Sequence, residues 1–402
     1  SRSTKLIHGG VRYLAQGRIG LVREALRERE LSLRLLAPHL VRPLPFLFPL
    51  TKRLWERPYV SAGLFLYDRM GGAKSVPGQS QVTRSGALRV APALKRNSLI
   101  GGIRYYDTVV DDARHSLTVA RTAAHYGAVI RTSTQVVGFL READRVMGVR
   151  VRDSDTGAIT EVRAHCVINA AGVWTDEVQA LSKERGHFKV RASKGVHIVV
   201  PRDRIVSETA IILRTANSVL FVIPWETHWI IGTTDTDWNL DLAHPAATHK
   251  DIDYILDRVN EVLVSPLTHD DIEGVYAGLR PLLAGEDEGT STLSREHAVA
   301  VVAPGLISIA GGKYTTYRVM GADAVDACND FIPTRVAPSI TERVPLLGAD
   351  GYFALINQCD FLGKRFGLHP YRVRRLLNRY GSLIDDVLLL EEPHLEQAVS
   401  LY

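Results

Sequence analysis

The sequence predicts an α/β protein, on three observations. Short runs of strand length, rich in Val and Ile, recur at 166–169, 196–200, 211–213, 219–223, 229–233 and 306–310. Longer segments at 18–38, 111–126 and 248–264 carry apolar residues at helical spacing. Two of the strand-like runs end in small-residue turns that open helices, Ala170-Ala171-Gly172 and Gly311-Gly312-Lys313. Glycine in such a turn lets main chain come close to a flat ring or a pyrophosphate.

The elements follow in order. Residues 18–38 read as a helix with Ile19, Val22, Leu26, Leu33 and Leu36 on one face, ended by Pro38. Residues 41–58 carry Pro43, Pro45, Pro49 and Pro58 among Leu44, Phe46, Leu47, Phe48, Leu50 and Trp55. So many prolines argue against a helix or a central strand, and the segment is expected to be an irregular apolar loop. With Arg42, Lys52, Arg53 and Arg57 beside it, this loop is either a membrane contact or a segment packed on the core. Residues 111–126 form a helix capped by Asp111, with Ala113, Leu117, Ala120 and Ala124 on its apolar face and Gly127 beyond its end. Strand-like runs fill 128–170, turn at 155–157 and end in a strand at 166–169 expected to be buried. The runs at 196–233 suggest a second sheet, and 248–264 a strongly amphipathic helix built on Ile252, Ile255, Leu256, Val259, Val262 and Leu263. After the strand at 306–310, residues 315–330 return as a helix, and beyond 338 the chain turns helical and basic.

Composition bounds the function. A chain of 402 residues with 46% hydrophobic residues holds two or three domains with real cores. Its formal charge of +5 suits anionic ligands or a membrane surface and is too mild to indicate nucleic acid. Cys166, Cys328 and Cys359 are widely spaced, so neither a disulfide framework nor a metal site is expected, and a reducing compartment fits best. No apolar run reaches the ~18 residues a membrane span needs.

Candidate chemistry concentrates in a few places. His8 precedes Gly9-Gly10, so its imidazole is expected beside exposed backbone, where it is the best general base of the set. Lys313 follows two glycines at a strand end and precedes a helix, a position that attracts anions. Arg280, in Gly-Leu-Arg-Pro-Leu, has apolar neighbours and needs an anionic partner, either a ligand phosphate or a permanent internal carboxylate. Arg12 holds a phosphate or pairs with a surface carboxylate. Asp235 and Asp237, flanked by threonines, read as turn-capping residues without a catalytic role. Asp111, Asp112 and Arg114 read as a helix cap with local pairing.

Taken together, SRSTKLIHGGVRY (1–13), INAAGVWTDEV (168–178), KGVHIVVPR (194–202), IPWETHWIIGTTDTD (223–237), YAGLRPL (276–282) and LISIAGGKYTTYR (306–318) resemble the flavin-dependent glycerol-3-phosphate dehydrogenases. The resemblance covers almost the whole chain and keeps the six segments in order. It implies an FAD-binding Rossmann-type domain of the glutathione-reductase-like and D-amino-acid-oxidase-like kind, an antiparallel-sheet substrate domain and the start of a C-terminal helical domain. The expected division is 1–190 with 296–335 for FAD, 191–295 with parts of 40–110 for substrate, and 338–402 for the helical part. The GxGxxG unit that opens such folds is missing from the sequence, which looks truncated at both ends.

The resemblance further implies oxidation of sn-glycerol 3-phosphate to dihydroxyacetone phosphate, with FAD as cofactor and a quinone as electron acceptor. An oxidase that uses oxygen, and a remnant unable to hold FAD, are the alternatives. His8, Arg280 and Lys313 are the implied catalytic residues, and Arg12, Tyr13, Arg280 and Lys313 the substrate ligands. Ser3, Thr4, Lys5, His8, Gly9, Gly10, Val136, Ala170, Ala171, Gly172, Trp174, Gly311, Gly312, Lys313, Tyr314, Thr315 and Thr316 are the implied cofactor contacts. A homodimer without metal, cytoplasmic or peripheral on the inner face of the cell membrane, completes the expectation.

Overall fold

Alternation along the strands of one large mixed sheet organises the molecule. The computed structural model describes residues 1–51, 55–71, 75–182, 189–215, 219–283 and 296–391, the side chains of Arg12, Ala15, Leu390 and Glu391 excepted. The sheet runs Leu6–Ile7, Gly101–Val110, Val41–Leu50, Ala210–Arg214, Val219–Trp225, His228–Gly232, Val190–Pro201, Thr236–Trp238. Gly274–Leu283 also pairs with Val190–Pro201, and Ser80–Thr83 with Gly101–Val110. Neighbours in the chain point to opposite faces. Leu47, Ile211, Leu213, Val222, Trp229 and Ile231 therefore share one core with Ile255, Leu256 and Val259 of the helix His249–Asn260. Phe46, Phe48, Ile212 and Ile223 turn the other way and pack with Val60 and Leu64 of the helix Glu56–Met70. Each such side chain contributes about 1.5–3 kcal/mol by leaving water. Thr248 and Asp251 close a capping box that starts His249–Asn260 where the sequence places it.

A second, three-stranded sheet joins His297–Ala303, Leu306–Gly311 and Val167–Asn169, the last two parallel with Leu306 opposite Val167. A third is the meander Thr134–Glu142, Arg145–Asp153, Ile159–Arg163. The last described helices, Tyr352–Ile356, Cys359–Phe366, Pro370–Tyr380 and Ile384–Glu391, pack around their own cluster of Leu362, Val373, Leu377, Ile384 and Leu388. The α/β class is as the sequence predicts, and among the described residues no helix is long and apolar enough to cross a membrane.

Three expectations fail. Residues 41–50 are not a loop: Val41–Leu50 is a ten-residue strand deep in the sheet, antiparallel to all of Gly101–Val110. The reason is parity. Pro43, Pro45 and Pro49 are all odd-numbered, so their missing donors fall on one edge of the strand. Pro45 O accepts from Thr209 Oγ1 on that edge, and there the parallel neighbour pairs only at Phe46 and Leu47. On the other edge Leu50 O accepts from Ile100 N. Leu44, Phe46, Leu47, Phe48 and Leu50 are core, so they do not form a membrane-inserting loop. Pro58 sits in the first turn of Glu56–Met70, where its missing N–H costs little.

The helix Asp112–His125 is where expected, with Asp111 accepting from Arg114 N, but it buries the opposite face. Asp112, His115 and Thr122 point inward while Leu117 is 58% exposed. Polar partners decide this: Ser1, Ser3 and Lys5 hold Asp112, Tyr314 holds His115, and Leu347 N donates to Thr122. The strand before Asn169 is only partly buried, Ile168 being 37% exposed.

Candidate active site

The N-terminal turn and the Gly-Gly-Lys turn, some three hundred residues apart in sequence, are stitched together by one side chain. Thr315 Oγ1 accepts from His8 N at 3.1 Å and donates to His8 O at 3.2 Å. The glycines permit this approach. Gly10 has φ 78°, and a Cβ on it would lie 2.5 Å from the Tyr13 ring; Gly311 and Gly312 have φ 75° and 81°. Lys313 Nζ stands 4.1 Å from the centre of the buried Tyr13 ring, a cation–π contact that fixes the ammonium beside the His8-Gly9-Gly10 turn.

Behind that turn lies a buried ionic brace. Gly9 N donates to Tyr67 Oη at 2.8 Å, and Tyr67 Oη donates to Asp107 Oδ2 at 2.8 Å. Arg29 Nη1 reaches Asp107 Oδ1 at 2.8 Å, with both side chains almost wholly buried. Burial alone would lower the Arg29 pKa, but the Asp107 charge outweighs it and the guanidinium is held above its ordinary value. Burial, then Asp107, pushes the Tyr67 hydroxyl well up, so it remains a donor.

Arg280 projects from Gly274–Leu283 into the same cleft. Its Nη2 lies 3.0 Å from Thr233 Oγ1, and its Nη1 lies 3.5 Å from Asp235 Oδ1. A Cβ on Gly195 would sit 2.5 Å from Arg280 Nη2, so the guanidinium crosses the backbone there. Asp235 accepts from Ser193 Oγ and faces Arg280, so it braces the site instead of capping a turn; Asp237 pairs with Arg191 at 2.8 Å.

Thr4, His8, Gly10, Tyr13, Thr233, Asp235 and Arg280 line a cleft of about 690 Å³ whose remaining wall is largely apolar, including Phe46, Phe48, Tyr59, Ile212 and Phe221. A second cavity of about 480 Å³ is lined by Ser1, Arg2, Ser3, Asp112, Ser116, Val173, Trp174, Gly278 and others. Lys5, at φ 57°, pairs with Asp112 at 3.0 Å. Burial would raise the Asp112 carboxyl, but bonds from Ser1, Ser3 and Lys5, with the Lys5 charge, hold it below the usual carboxylate range. The sequence reading as a cap with local pairing therefore understates Asp112, which anchors the N-terminal segment.

Of the expected cofactor residues, Ser3, Thr4, Lys5, His8, Gly9 and Gly10 lie on the segment 3–10, where Ser3 lines the second cavity and Thr4, His8 and Gly10 line the first. Trp174 lines the second cavity, and Ala170, Ala171 and Gly172, at φ 61°, form the turn leading to it, where Ala171 N donates to Asn169 Oδ1. Tyr314 Oη lies 2.8 Å from His115 Nδ1, and Thr316 Oγ1 donates to Lys313 O. Val136 stands apart on the meander, opposite Val151, and lines neither cavity. The side chain of Arg12 lies outside the described residues.

The sequence reading missed His197. It is 2% exposed, stacked on Tyr276 with centroids 4.9 Å apart, and its Nε2 lies 2.9 Å from Thr4 Oγ1. Burial, then the Arg280 and Lys5 charges, drive its pKa down to about 3, so it is neutral at physiological pH, and its Nδ1 has no hydrogen-bond partner among the described residues. Its place in Lys-Gly-Val-His between apolar residues reads as an ordinary strand position; only the tertiary contact with Thr4 reveals it. Asp107, Tyr67 and Arg29 were likewise invisible, being far apart in sequence.

The residues present fit a flavin: left-handed glycines remove Cβ atoms from both turns, and the N-terminal segment puts Ser3 in the wall of one cavity and Thr4 in the wall of the apolar-walled cleft. The FAD dependent oxidoreductase family matches residues 1–318. Glycerol-3-phosphate dehydrogenase 2 of Mycobacterium tuberculosis (strain ATCC 25618 / H37Rv) is 76% identical over 390 residues, covering 97% of this chain and 67% of that protein. The mitochondrial glycerol-3-phosphate dehydrogenase of Homo sapiens is 39% identical, covering 95% of this chain and 54% of its own length. Among solved structures, the glycerol-3-phosphate dehydrogenase of Bacillus halodurans complexed with FAD has a TM-score of 0.78 at 31% identity, over 100% of this chain and 71% of that one. The L-alpha-glycerophosphate oxidase of Mycoplasma pneumoniae, with a TM-score of 0.62 at 16% identity over 86% of this chain and 88% of that one, shares the fold.

Proposed function

The chain belongs to the FAD-dependent glycerol-3-phosphate dehydrogenase family, and from that premise we propose that it oxidises sn-glycerol 3-phosphate to dihydroxyacetone phosphate, with a quinone as the final acceptor. One observation supports this reading above the rest: Arg280 lines a cleft whose remaining wall is largely apolar, and the Lys313 ammonium is buried just behind that wall, against the ring of Tyr13, which does line it. Two fixed cations suit a phosphate dianion, and an apolar wall suits a carbon skeleton or a quinone ring. The family resemblance adds Arg12 as a further phosphate ligand.

When bound, FAD supplies a two-electron acceptor for the C2 hydride. Ser3, Thr4, Lys5, His8, Gly9, Gly10, Ala170, Ala171, Gly172, Trp174 and Gly311 to Thr316 would hold it. The protein's own residues do the rest. Arg280 and Lys313 orient the phosphate and polarise the C2 oxygen, and Tyr13 holds Lys313 in place. His8 receives the C2 hydroxyl proton, a role arginine cannot fill because it stays charged. Neutral His197 positions Thr4 in the wall of the cleft. A dianion beside Arg280 offsets part of the positive field that, after burial, keeps His197 deprotonated.

In this reading 1–190 with 296–335 hold FAD, 191–295 with parts of 40–110 hold substrate, and 338–402 are the start of a C-terminal helical domain, in a homodimer that is cytoplasmic or peripheral on the inner face of the cell membrane. The test is glycerol 3-phosphate against glycerol, assayed with a quinone and then with oxygen. Equal rates on glycerol would overturn the substrate assignment. Stoichiometric hydrogen peroxide in place of quinone reduction would make the protein an oxidase, and absence of flavin absorbance would make it a remnant.

A further inference from the structure

Cys166 and Cys328 lie 162 residues apart in sequence, yet their Sγ atoms are 2.9 Å apart. That is inside the roughly 3.5–4.0 Å at which even carbon atoms pack. Cys166 immediately precedes Val167–Asn169, the strand that ends at the Ala170-Ala171-Gly172 turn. Cys328 follows the helix Tyr317–Asp326, which continues from the Gly-Gly-Lys turn. All of the large-sheet strands from Val190 to Leu283 lie between the two cysteines in sequence.

We propose that Cys166 and Cys328 are a site of reversible disulfide formation, a covalent clasp that ties the two chain segments bounding the substrate sheet to one another.

The segments are already held in place without the bond. Arg145 Nη2 donates to His165 O at 3.2 Å and to Phe331 O at 2.5 Å, so one guanidinium spans the residue before Cys166 and the turn after Cys328. Cys328 is also anchored through Sγ to Ala324 O at 3.5 Å. Little backbone movement separates the dithiol from the S–S bond, whose formation demands specific geometry. Cys359 sits in the C-terminal helical cluster and serves as an internal control.

The oxidant is a peroxide. Cys166, the more accessible of the pair, attacks one peroxide oxygen to give the sulfenic acid and one water or alcohol. Cys328 then attacks the sulfenic sulfur, forming the S–S bond and releasing a second water. Two thiols lose two protons and two electrons, and the peroxide takes up both. Burial, reinforced by the neighbouring Cys328, raises the Cys166 thiol to about 12, so little thiolate is present and the clasp answers sustained oxidation rather than a brief pulse. A thiol reductant restores the pair.

The test uses the FAD-loaded protein, reduced with dithiothreitol and then incubated with hydrogen peroxide before alkylation, digestion and mass spectrometry without reductant. The expected result is a peptide pair joined through Cys166 and Cys328, reversed by dithiothreitol. Closing so long a loop constrains the unfolded chain, and the oxidised protein is expected to melt higher by roughly 5 °C. Cys359→Ser should keep both the bond and the shift; Cys166→Ser and Cys328→Ala should lose both while their reduced melting temperatures stay near wild type. Full alkylation of both thiols in folded, peroxide-treated protein overturns the proposal, as does a bond from either cysteine to Cys359 or to another copy. A Cys166–Cys328 bond with no change in melting overturns the clasp.

Discussion

Changing Tyr67 to phenylalanine tests whether the buried brace behind the N-terminal turn sets the geometry of the site. The substitution removes one hydroxyl and leaves the ring in place. Two bonds go with it, from Gly9 N at 2.8 Å and to Asp107 Oδ2 at 2.8 Å, and both lie in the interior. An orphaned buried N–H costs about 1–3 kcal/mol, and a lost bond to a charged acceptor a comparable amount. Asp107 keeps Arg29, so the ion pair survives and the sum stays near 2–4 kcal/mol. In melting of the FAD-loaded protein this corresponds to a drop of roughly 2–5 °C. Gly9 lies between His8 and Gly10, so the turn shifts as well, and kcat/KM for glycerol 3-phosphate should fall roughly 10-fold, or about 1.4 kcal/mol. Asp107→Ala should be worse, at about 3–5 kcal/mol, because it strands the Arg29 charge. Circular dichroism melting with initial-rate kinetics decides the matter. A Tyr67→Phe protein with wild-type melting and wild-type kcat/KM would refute the reasoning, as would Asp107→Ala proving the milder change.

Arg280→Ala and Lys313→Ala should each lower kcat/KM for glycerol 3-phosphate by roughly 10-fold to 150-fold, the loss of about 1.5–3 kcal/mol of charge-assisted bonding, with flavin content little changed. Equal losses toward glycerol would instead place them in service of the flavin or the fold. Gly10→Ala forces a Cβ to 2.5 Å from Tyr13 at φ 78°, so it should melt lower and lose activity more than Gly127→Ala, whose Cβ meets nothing within 4 Å at φ 95°. Rotation of the Tyr13 ring away from Lys313 would show as a change in near-ultraviolet dichroism. Buried His39 and His115 have pKa values lowered from 6.5 to about 4, chiefly by burial. The unfolded chain therefore binds more protons than the native one between these values, so stability is full above pH 6.5 and falls as pH drops toward 4. Each contributes up to about 3 kcal/mol to that slope, and His39→Phe should flatten it in melting curves taken across the range.

The sequence by itself determined the α/β class, the family, the two glycine turns and most helix limits. These rest on local chemistry: Thr248 and Asp251 cap their helix within four residues, and Gly311-Gly312-Lys313 carries its own backbone requirement. Motif order also pointed to His8, Tyr13 and Arg280, which line one cleft, and to Lys313, which packs on Tyr13. Only the tertiary structure decided which edge of a strand receives the prolines, and hence that Val41–Leu50 lies inside the sheet. It likewise decided that the helix Asp112–His125 buries its polar side, because Ser1, Ser3, Lys5 and Tyr314 wait there from opposite ends of the chain. His197 against Thr4, Asp107 between Arg29 and Tyr67, and Cys166 beside Cys328 are of the same kind. Each is a contact between residues tens to hundreds of positions apart. Local periodicity fixes what a segment prefers to be, but which partner it meets depends on how the sheets fold the whole chain back on itself.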